Sequence, residues 1–478
     1  MKMYSRHKAI VLTVTASLVN FPQSGFAQIA APELSVNKAD NAWMLVSTIL
    51  VLLMTIPGLA LFYGGLVRSK NMLSILTQVM SIVCIVCLVW FLWGYSLAFT
   101  DGGALNAVVG GFGRIFLHGV DVSSTVETFS VGVAIHELIF ICFQMTFAAI
   151  TTALVVGAFA ERIKFSAVIL FAVLWPTIVY FPIAHMVWFW PGPSGIATAP
   201  DAVPNAGLIW GLGTIDFAGG TVVHINAGIA GLIGAVLIGQ RIGYQREAMP
   251  PHSLAFTMVG AALLWVGWFG FNAGSNLEAN EYAGLAMANT FVATAAAGVS
   301  WMFAEWLFMG KPSLLGLASG IVAGLVSITP ASGFAGPMGA IFLGIAAGVL
   351  CFVFCVGVKN LFGYDDALDV FGIHAVGGFL GAVATGILVN PALGGTGIVN
   401  YATCAADGDI TTCDTAAYDA ASQVLAQLMG ALVTIAWSAV GSLIVYGIIA
   451  VTVGLRVSRE TERSGLDIVE HGERAYTS

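Results

Sequence analysis

The chain has 478 residues, of which 58% are hydrophobic and only 9% charged, and its net charge is −8. A soluble domain carries about 25% charged residues, so the composition excludes a soluble enzyme and describes a chain that crosses a bilayer many times. No basic cluster suggests nucleic acid, and the 57 glycines suit close helix packing in lipid.

At the start, Lys2, Arg6 and Lys8 precede an apolar run from Ala9 to Val19, and a small-residue stretch follows up to Ala27. This pattern predicts a secretory signal peptide over residues 1–27, cut after Ala27. The run is too short to span a bilayer; the alternative is an uncleaved anchor. Residues 28–41 then form an extracytoplasmic lead-in. At roughly 20 apolar residues per crossing, the rest reads as eleven helices: Ala42–Val67, Met72–Phe99, Ile135–Phe159, Phe165–Trp190, Gly219–Gly239, Ser253–Ala273, Tyr282–Met309, Leu314–Ile328, Pro337–Val358, Asp369–Val389 and Ala421–Leu455. Residues 456–478 form a tail.

Lys and Arg set the orientation. Alternate loops and the tail hold Arg68, Lys70, Arg162, Lys164, Arg241, Arg246, Lys311, Lys359, Arg456, Arg459, Arg463 and Arg474, whereas the opposite side holds only Lys38 and Arg114. The mature N-terminus is therefore expected outside and the tail in the cytoplasm. Cys404 and Cys413 lie nine positions apart in a polar outer loop. In a bacterial envelope that side is oxidising, so a Cys404–Cys413 disulfide is expected.

Two stretches repeat the form H-x-x-x-G-x-x-G: His224 to Gly231 and His374 to Gly381. On a helix, positions i, i+4 and i+7 share a face. His224, Gly228 and Gly231 form one stripe; His374, Gly378 and Gly381 form the other. Ionisable groups in hydrocarbon are costly and usually face a pathway or a partner, while glycines let helices approach. The stripes predict two matching helices that point their histidines into a shared pore. The alternative is two unrelated histidines, each bonded inside its own bundle. The fifth and tenth helices carry them, and five is odd. Repeat one, about 42–239, and repeat two, about 253–389, are thus expected in inverted topology, with the eleventh helix, about 421–455, outside the repeat. Transport folds place substrate at such a repeat interface.

Several fragments carry a resemblance: Phe62-Tyr-Gly-Gly-Leu-Val-Arg, Phe143-Gln-Met-Thr-Phe147, Ala160-Glu-Arg-Ile, Asp216 through His224 to Ala227, Gly267-Trp-Phe-Gly-Phe-Asn-Ala-Gly-Ser275, Asp369 through His374, and in the tail Gly465-Leu-Asp and His471-Gly-Glu. In this order, from about Ala42 to Tyr476, they closely resemble the ammonium transporters of the ammonium transporter/Rhesus family. The resemblance implies an all-α, eleven-helix homotrimer of the bacterial inner membrane, with one pore per subunit. It implies ammonium or ammonia as substrate, methylammonium as analogue, no cofactor or metal, and a PII-type nitrogen signal protein docking on the cytoplasmic face. His224 and His374 resemble the family's pore histidines, and Phe147 and Phe271 its stacked gate. Trp188, Ser275, Phe143 and Asp216 resemble its recruitment site. Asp216 also has the position of a helix cap.

The residue types suit that chemistry. An aromatic cage attracts a cation through its ring quadrupoles. A serine hydroxyl accepts an N–H bond that potassium cannot supply. An apolar lining penalises an intact ion, and ammonium can shed a proton where potassium cannot. An ammonium sensor on the same fold and a Rhesus-type ammonia gas channel remain as alternatives. A metalloenzyme would need a third ligand beside the histidines, and no H-E-x-x-H motif occurs.

Overall fold

The computed structural model describes residues 34–199, 204–404 and 413–476. The signal peptide expected over 1–27 lies outside the described residues. Eleven described helices are long and apolar enough to cross a membrane. They are α1 (Lys38–Leu66), α2 (Ser69–Phe99), α3 (Glu137–Phe159), α4 (Phe165–Trp188), α5 (Gly220–Ile238), α6 (Leu254–Gly274), α7 (Glu281–Met309), α8 (Leu314–Ala331), α9 (Pro337–Phe362), α10 (Phe371–Leu388) and α11 (Ala420–Thr452). The expected short eighth and long eleventh spans hold 18 and 33 residues.

Local chemistry sets the boundaries. Asn37, Ser253, Asn280, Ser313 and Asp419 cap α1, α6, α7, α8 and α11, each side chain accepting from backbone N–H of the first turn. α2 starts earlier than the apolar run because Ser69–Asn71 adds a 3₁₀ turn. α3 starts later because Val133–His136 is a strand. With β1 (Ser35–Val36), β2 (Thr125–Glu127) and β3 (Val133–His136), it forms a small sheet in the order β1-β3-β2. β1 runs parallel to β3, and β2 antiparallel with Thr125 opposite His136. α11 stops at Thr452, before Gly454 in the left-handed region at φ 76°.

α5 and α10 cross at the centre. A Cβ on Gly228 would collide with the backbone of Ala375, and one on Gly378 would lie 2.9 Å from the Cβ of His224. Gly228 and Gly378 therefore face each other's histidine turns, while Gly381 of the second stripe packs on Ser327 of α8. α11 lies along both helices. Ser438 Oγ donates to the Asn226 carbonyl at 2.8 Å, Tyr446 OH to that of Ala230 at 3.1 Å, and Gln427 Nε2 to that of Ala382 at 2.8 Å. α7 packs against α8 and α9 at the periphery and turns Phe291, Phe303, Leu307 and Phe308 outward.

The tail folds back under the bundle as α12 (Arg459–Ser464) and α13 (Leu466–His471). Asp467 accepts from the N–H groups of Leu73 and Ser74 at the start of α2, at 3.1 and 2.8 Å, where a helix favours negative charge. Glu470 accepts from Phe165 N at the start of α4. Glu462 accepts from Ile242 N at 2.6 Å and pairs with Arg456 at 2.8 Å. The tail thus touches three of the loops on its face.

Candidate functional site

Both histidines sit on π-helical turns, Gly220–Ile225 and Phe371–Ala375, which open the first turns of α5 and α10. Such turns re-aim side chains and mark functional sites. His224 and His374 are buried, with Nδ1 facing Nδ1 at 3.2 Å and ring centroids 5.3 Å apart. In that contact one Nδ1 donates and the other accepts. The tautomers follow: one ring keeps an acceptor at Nε2 and the other a donor. Nε2 of His224 has no hydrogen-bond partner within the described chain. The rings open onto a narrow, otherwise apolar cavity bounded by Phe62, Tyr63, Trp268 and Phe271. Trp268 supports His224 from one side, its ring centroid 5.4 Å away and nearly parallel.

Away from the tail, the aromatic residues continue the line. Phe271 lies 6.1 Å from His224 and stacks on Phe147 at 4.1 Å with 12° between the planes. Phe147 meets the edge of Trp188 at 5.9 Å and tilts against Phe143 at 4.9 Å. Phe143, Phe147 and Phe271 are buried. Ser275 Oγ donates to the Phe271 carbonyl at 2.8 Å, which leaves its lone pairs for a donor.

Asp216 stands differently. Its two carboxylate oxygens accept from the N–H groups of Gly219, Gly220, Thr221 and Val222 at 2.7–3.1 Å. Those four donors fill the acceptor capacity of a carboxylate. Of the two sequence readings, the cap describes Asp216, and a direct cation contact does not. It reaches the outer aromatic residues through its carbonyl, which accepts from Trp188 Nε1 at 3.0 Å.

The tail side of the line has a counterpart that sequence reasoning missed. Asp366 accepts from Val370 N and Phe371 N at 3.1 and 2.7 Å and caps α10. Asp216 precedes His224 by the same eight positions that separate Asp366 from His374. That shared spacing was the available signal. Asp369, which begins the motif in sequence, instead pairs with Lys359. Burial pushes the Asp366 carboxyl up, with Asp369 adding to the effect.

Around this opening the charges are paired. Glu161 accepts from Arg68 N, Asn71 Nδ2 and Arg241 at 2.7–3.0 Å. Burial would raise its carboxyl, yet Arg241 and Arg68 hold it down to about 2. Arg241 also forks onto Asp365 at 2.8 Å. Arg162 is fully buried and donates to the carbonyls of Gly239, Ala160, Ala158 and Asp365. Far across the molecule, Cys404 and Cys413 are joined in a disulfide. His185, near the end of α4, is fully buried. Among the described residues no group of three His, Cys, Asp or Glu residues is placed to hold a metal.

The sequence profile described as the Ammonium Transporter Family matches residues 42–476. The chain belongs to that family. It is 45% identical over 447 residues to an ammonium transporter of Aquifex aeolicus, covering 93% of this chain and 95% of that one. An ammonium transporter of Bacillus subtilis is 42% identical, with 91% and 98% covered. Among solved structures, Saccharomyces cerevisiae Mep2 superposes with a TM-score of 0.75 at 31% identity, covering 89% of this chain and 91% of that one. A protein described as a sensor Amt protein reaches 0.77 at 27% identity, with 91% and 98% covered. Ammonium transporter family members are transporters or channels and not enzymes, and this member is a multi-pass membrane protein whose activity is ammonium transport.

Proposed function

We propose that ammonium is recruited beside Trp188, Ser275 and Phe143, loses its proton near the Phe147–Phe271 stack, and passes His224 and His374 as ammonia. The observation that carries this reading is the unbroken line of rings from Trp188 through Phe147 and Phe271 to the paired histidines. The π faces attract a cation and the buried stack stops an intact one. Beyond the stack, the histidine pair offers one acceptor and one donor, which suits a neutral molecule that both donates and accepts. Asp216 acts by holding the start of α5 and the indole of Trp188. The proton follows a separate relay through the facing histidines, so transport stays voltage-sensitive: moving one elementary charge through 100 mV is worth about 2.3 kcal/mol. The other reading, an electroneutral gas channel, leaves the proton behind.

The same reading divides the chain into a signal peptide over 1–27, an external segment over 28–41, a transporter unit over 42–455 and a regulatory tail over 456–478. The mature N-terminus faces the periplasm and the tail the cytoplasm of a bacterial inner membrane, as the Lys and Arg distribution supports. The subunits assemble as a homotrimer. A PII-type signal protein docks where the tail bridges the loops; the sensor Amt protein among the structural relatives is in keeping with a fold that takes signalling partners.

Currents from proteoliposomes under ammonium, methylammonium and potassium gradients test the central claim. An ammonium current without a potassium current is expected. Ammonia flux with no current at any voltage would replace the relay by gas conduction, and equal ammonium and potassium currents would remove the deprotonation step.

A further inference from the structure

His185 lies in the last turn of α4, three residues before Trp188. Its Nδ1 is 3.0 Å from the carbonyl oxygen of Ala98, at the end of α2, and its Nε2 is 2.7 Å from that of Asn106. A carbonyl oxygen only accepts, so each contact needs a ring N–H, and a neutral imidazole carries one. Turning the ring over sets carbon where each nitrogen stood and satisfies neither oxygen. Only an imidazolium makes both bonds at once.

The surroundings suit a cation. The last turn of a helix is the negative end of its dipole. Phe189 stacks on the ring at 4.6 Å with 14° between planes, which adds a π face. Burial favours the neutral ring; the Asn106 and Ala98 carbonyls and the carboxylate of Asp101, on the segment that follows α2, oppose it. Asp101 accepts from Asn205 Nδ2 at 2.8 Å, and Asn106 Nδ2 donates to Asn205 Oδ1 at 2.6 Å, which ties the same loop together. The other charged groups on the neighbouring elements are already engaged. Arg114 lies 3.7 Å from Glu137, which accepts from Tyr95 OH, and Asp216 is filled by its cap.

We propose that His185 is a positioning residue for the outer ammonium site: held as an imidazolium, it ties the last turn of α4 to α2 and to the Asn106 loop, and so sets the place of Trp188. The proposal rests on the reading of Trp188 as the wall of that site. When the ring loses its proton, one of the two bonds is lost and the turn carrying Trp188 loosens. Outer acidity therefore tunes recruitment through a residue that ammonium does not touch.

Nitrogen-15 NMR of the full chain in lipid, labelled at histidine, reads the charge directly. The His185 signals, assigned by their loss in His185→Asn, should show protons on both ring nitrogens at the acid end of about pH 5 to 8. Methylammonium uptake across the same range should show KM rising by roughly fivefold as that signal titrates, the worth of about one hydrogen bond, with little change in maximal rate. His185→Asn and His185→Gln should have a raised KM that no longer follows pH. A single N–H on His185 throughout, or a pH profile unchanged in both variants, overturns the proposal. If neither variant folds, the NMR titration and the wild-type KM profile must still move together, and their separation overturns it. Trp188→Leu separates the two readings. If it leaves KM unchanged at every pH, the outer site is misplaced and this proposal falls with it. If it raises KM while both His185 variants keep the wild-type profile, this proposal fails alone.

Discussion

α5 and α10 each begin with an aspartate eight residues ahead of a buried histidine, and each histidine rides a π-helical turn. The company they keep differs. Asp216 is filled by four backbone donors, and the line beyond it runs through neutral rings. Asp366 takes two backbone donors, with the Lys359–Asp369 pair beside it and the Arg241, Asp365 and Glu161 network around it. The duplicated part is a backbone device: a capped helix start that aims a histidine at the centre. The part that is not duplicated is the chemistry of each opening. Neutral rings line one end, where the proposed function has them draw a cation in. At the other, charges already paired to one another bind no passing ion strongly and instead fasten the loops to each other.

The largest effect should come from breaking the shared centre. His224→Ala or His374→Ala removes one half of the Nδ1 pair and leaves the other ring's nitrogen buried without its partner, a loss that costs about 1–3 kcal/mol. Each substitution should abolish the ammonium current or open the pore to potassium. Replacing either histidine with Asp should relax discrimination against potassium. Current and ammonium uptake measured together in wild type and both alanine variants decide the matter. Wild-type current and selectivity in both would make the histidines packing residues.

Strong acid should act on the charged opening. The folded carboxyl of Glu161 sits at about 2 because Arg241 and Arg68 outweigh its burial, whereas in the unfolded chain it titrates in the ordinary glutamate range. A depressed carboxyl stabilises the fold above the unfolded value, and that contribution is lost as pH falls through the folded one. Roughly 3 kcal/mol should therefore drain away between about pH 4 and pH 2. Glu161→Gln should carry most of this loss at neutral pH, and its deficit against wild type should shrink as acid is added. Denaturation of the purified protein in detergent across that range reads the gap; a gap independent of pH would mean that the ion pairs contribute nothing.

How far could the chain itself be read? The spans were legible because bilayer thickness fixes the length of an apolar run, and the glycine stripes because helical spacing puts them on the histidine face. Gly228 and Gly378 then meet the opposite histidine turn. Asp366 was not legible from the His374 motif, since Asp369 stands nearer in sequence and only the cap geometry separates a capping acid from an ion-paired one. His185 was hidden for another reason. Its partners are carbonyls 87 and 79 residues away, and every residue has a carbonyl. The tail's docking was hidden likewise, because Asp467 and Glu470 bind backbone N–H groups of distant helix starts.

A milder substitution sharpens the comparison between the two caps. Asn keeps one acceptor oxygen where Asp has two and carries no charge. Asp216→Asn strands two of four N–H groups, and Asp366→Asn strands one of two. Destabilisation of about 2 and about 1 kcal/mol is expected, at roughly 1 kcal/mol per stranded bond, read as thermal unfolding in detergent. Asp216→Asn should also raise the KM for methylammonium, because the indole of Trp188 hangs on the Asp216 carbonyl, while Asp366→Asn should leave that KM alone. Equal effects on KM would mean that the two caps are not tied to different openings.

The smallest effect is expected at the Cys404–Cys413 disulfide. A cross-link stabilises mainly by limiting the unfolded chain, and short loops gain least. Here the flanks are already pinned. Asn400 N donates to the Asp414 carbonyl at 2.9 Å, Ala416 N to that of Ile398 at 2.7 Å, and Val399 bridges Thr415. Tyr401 leans on Trp190 at 5.1 Å and so holds the loop against the aromatic opening. Removing the disulfide by Cys404→Ser with Cys413→Ser should lower stability by about 1 kcal/mol or less, well below the chain-entropy figure, because the remaining contacts keep the strands together. Ammonium selectivity should not change. Mass spectrometry of unreduced protein should find the two cysteines linked. A large rise in KM or fall in selectivity in the double variant would show that the loop, and not the ring line alone, shapes the aromatic opening, and the contrast between the two ends would then need a third element.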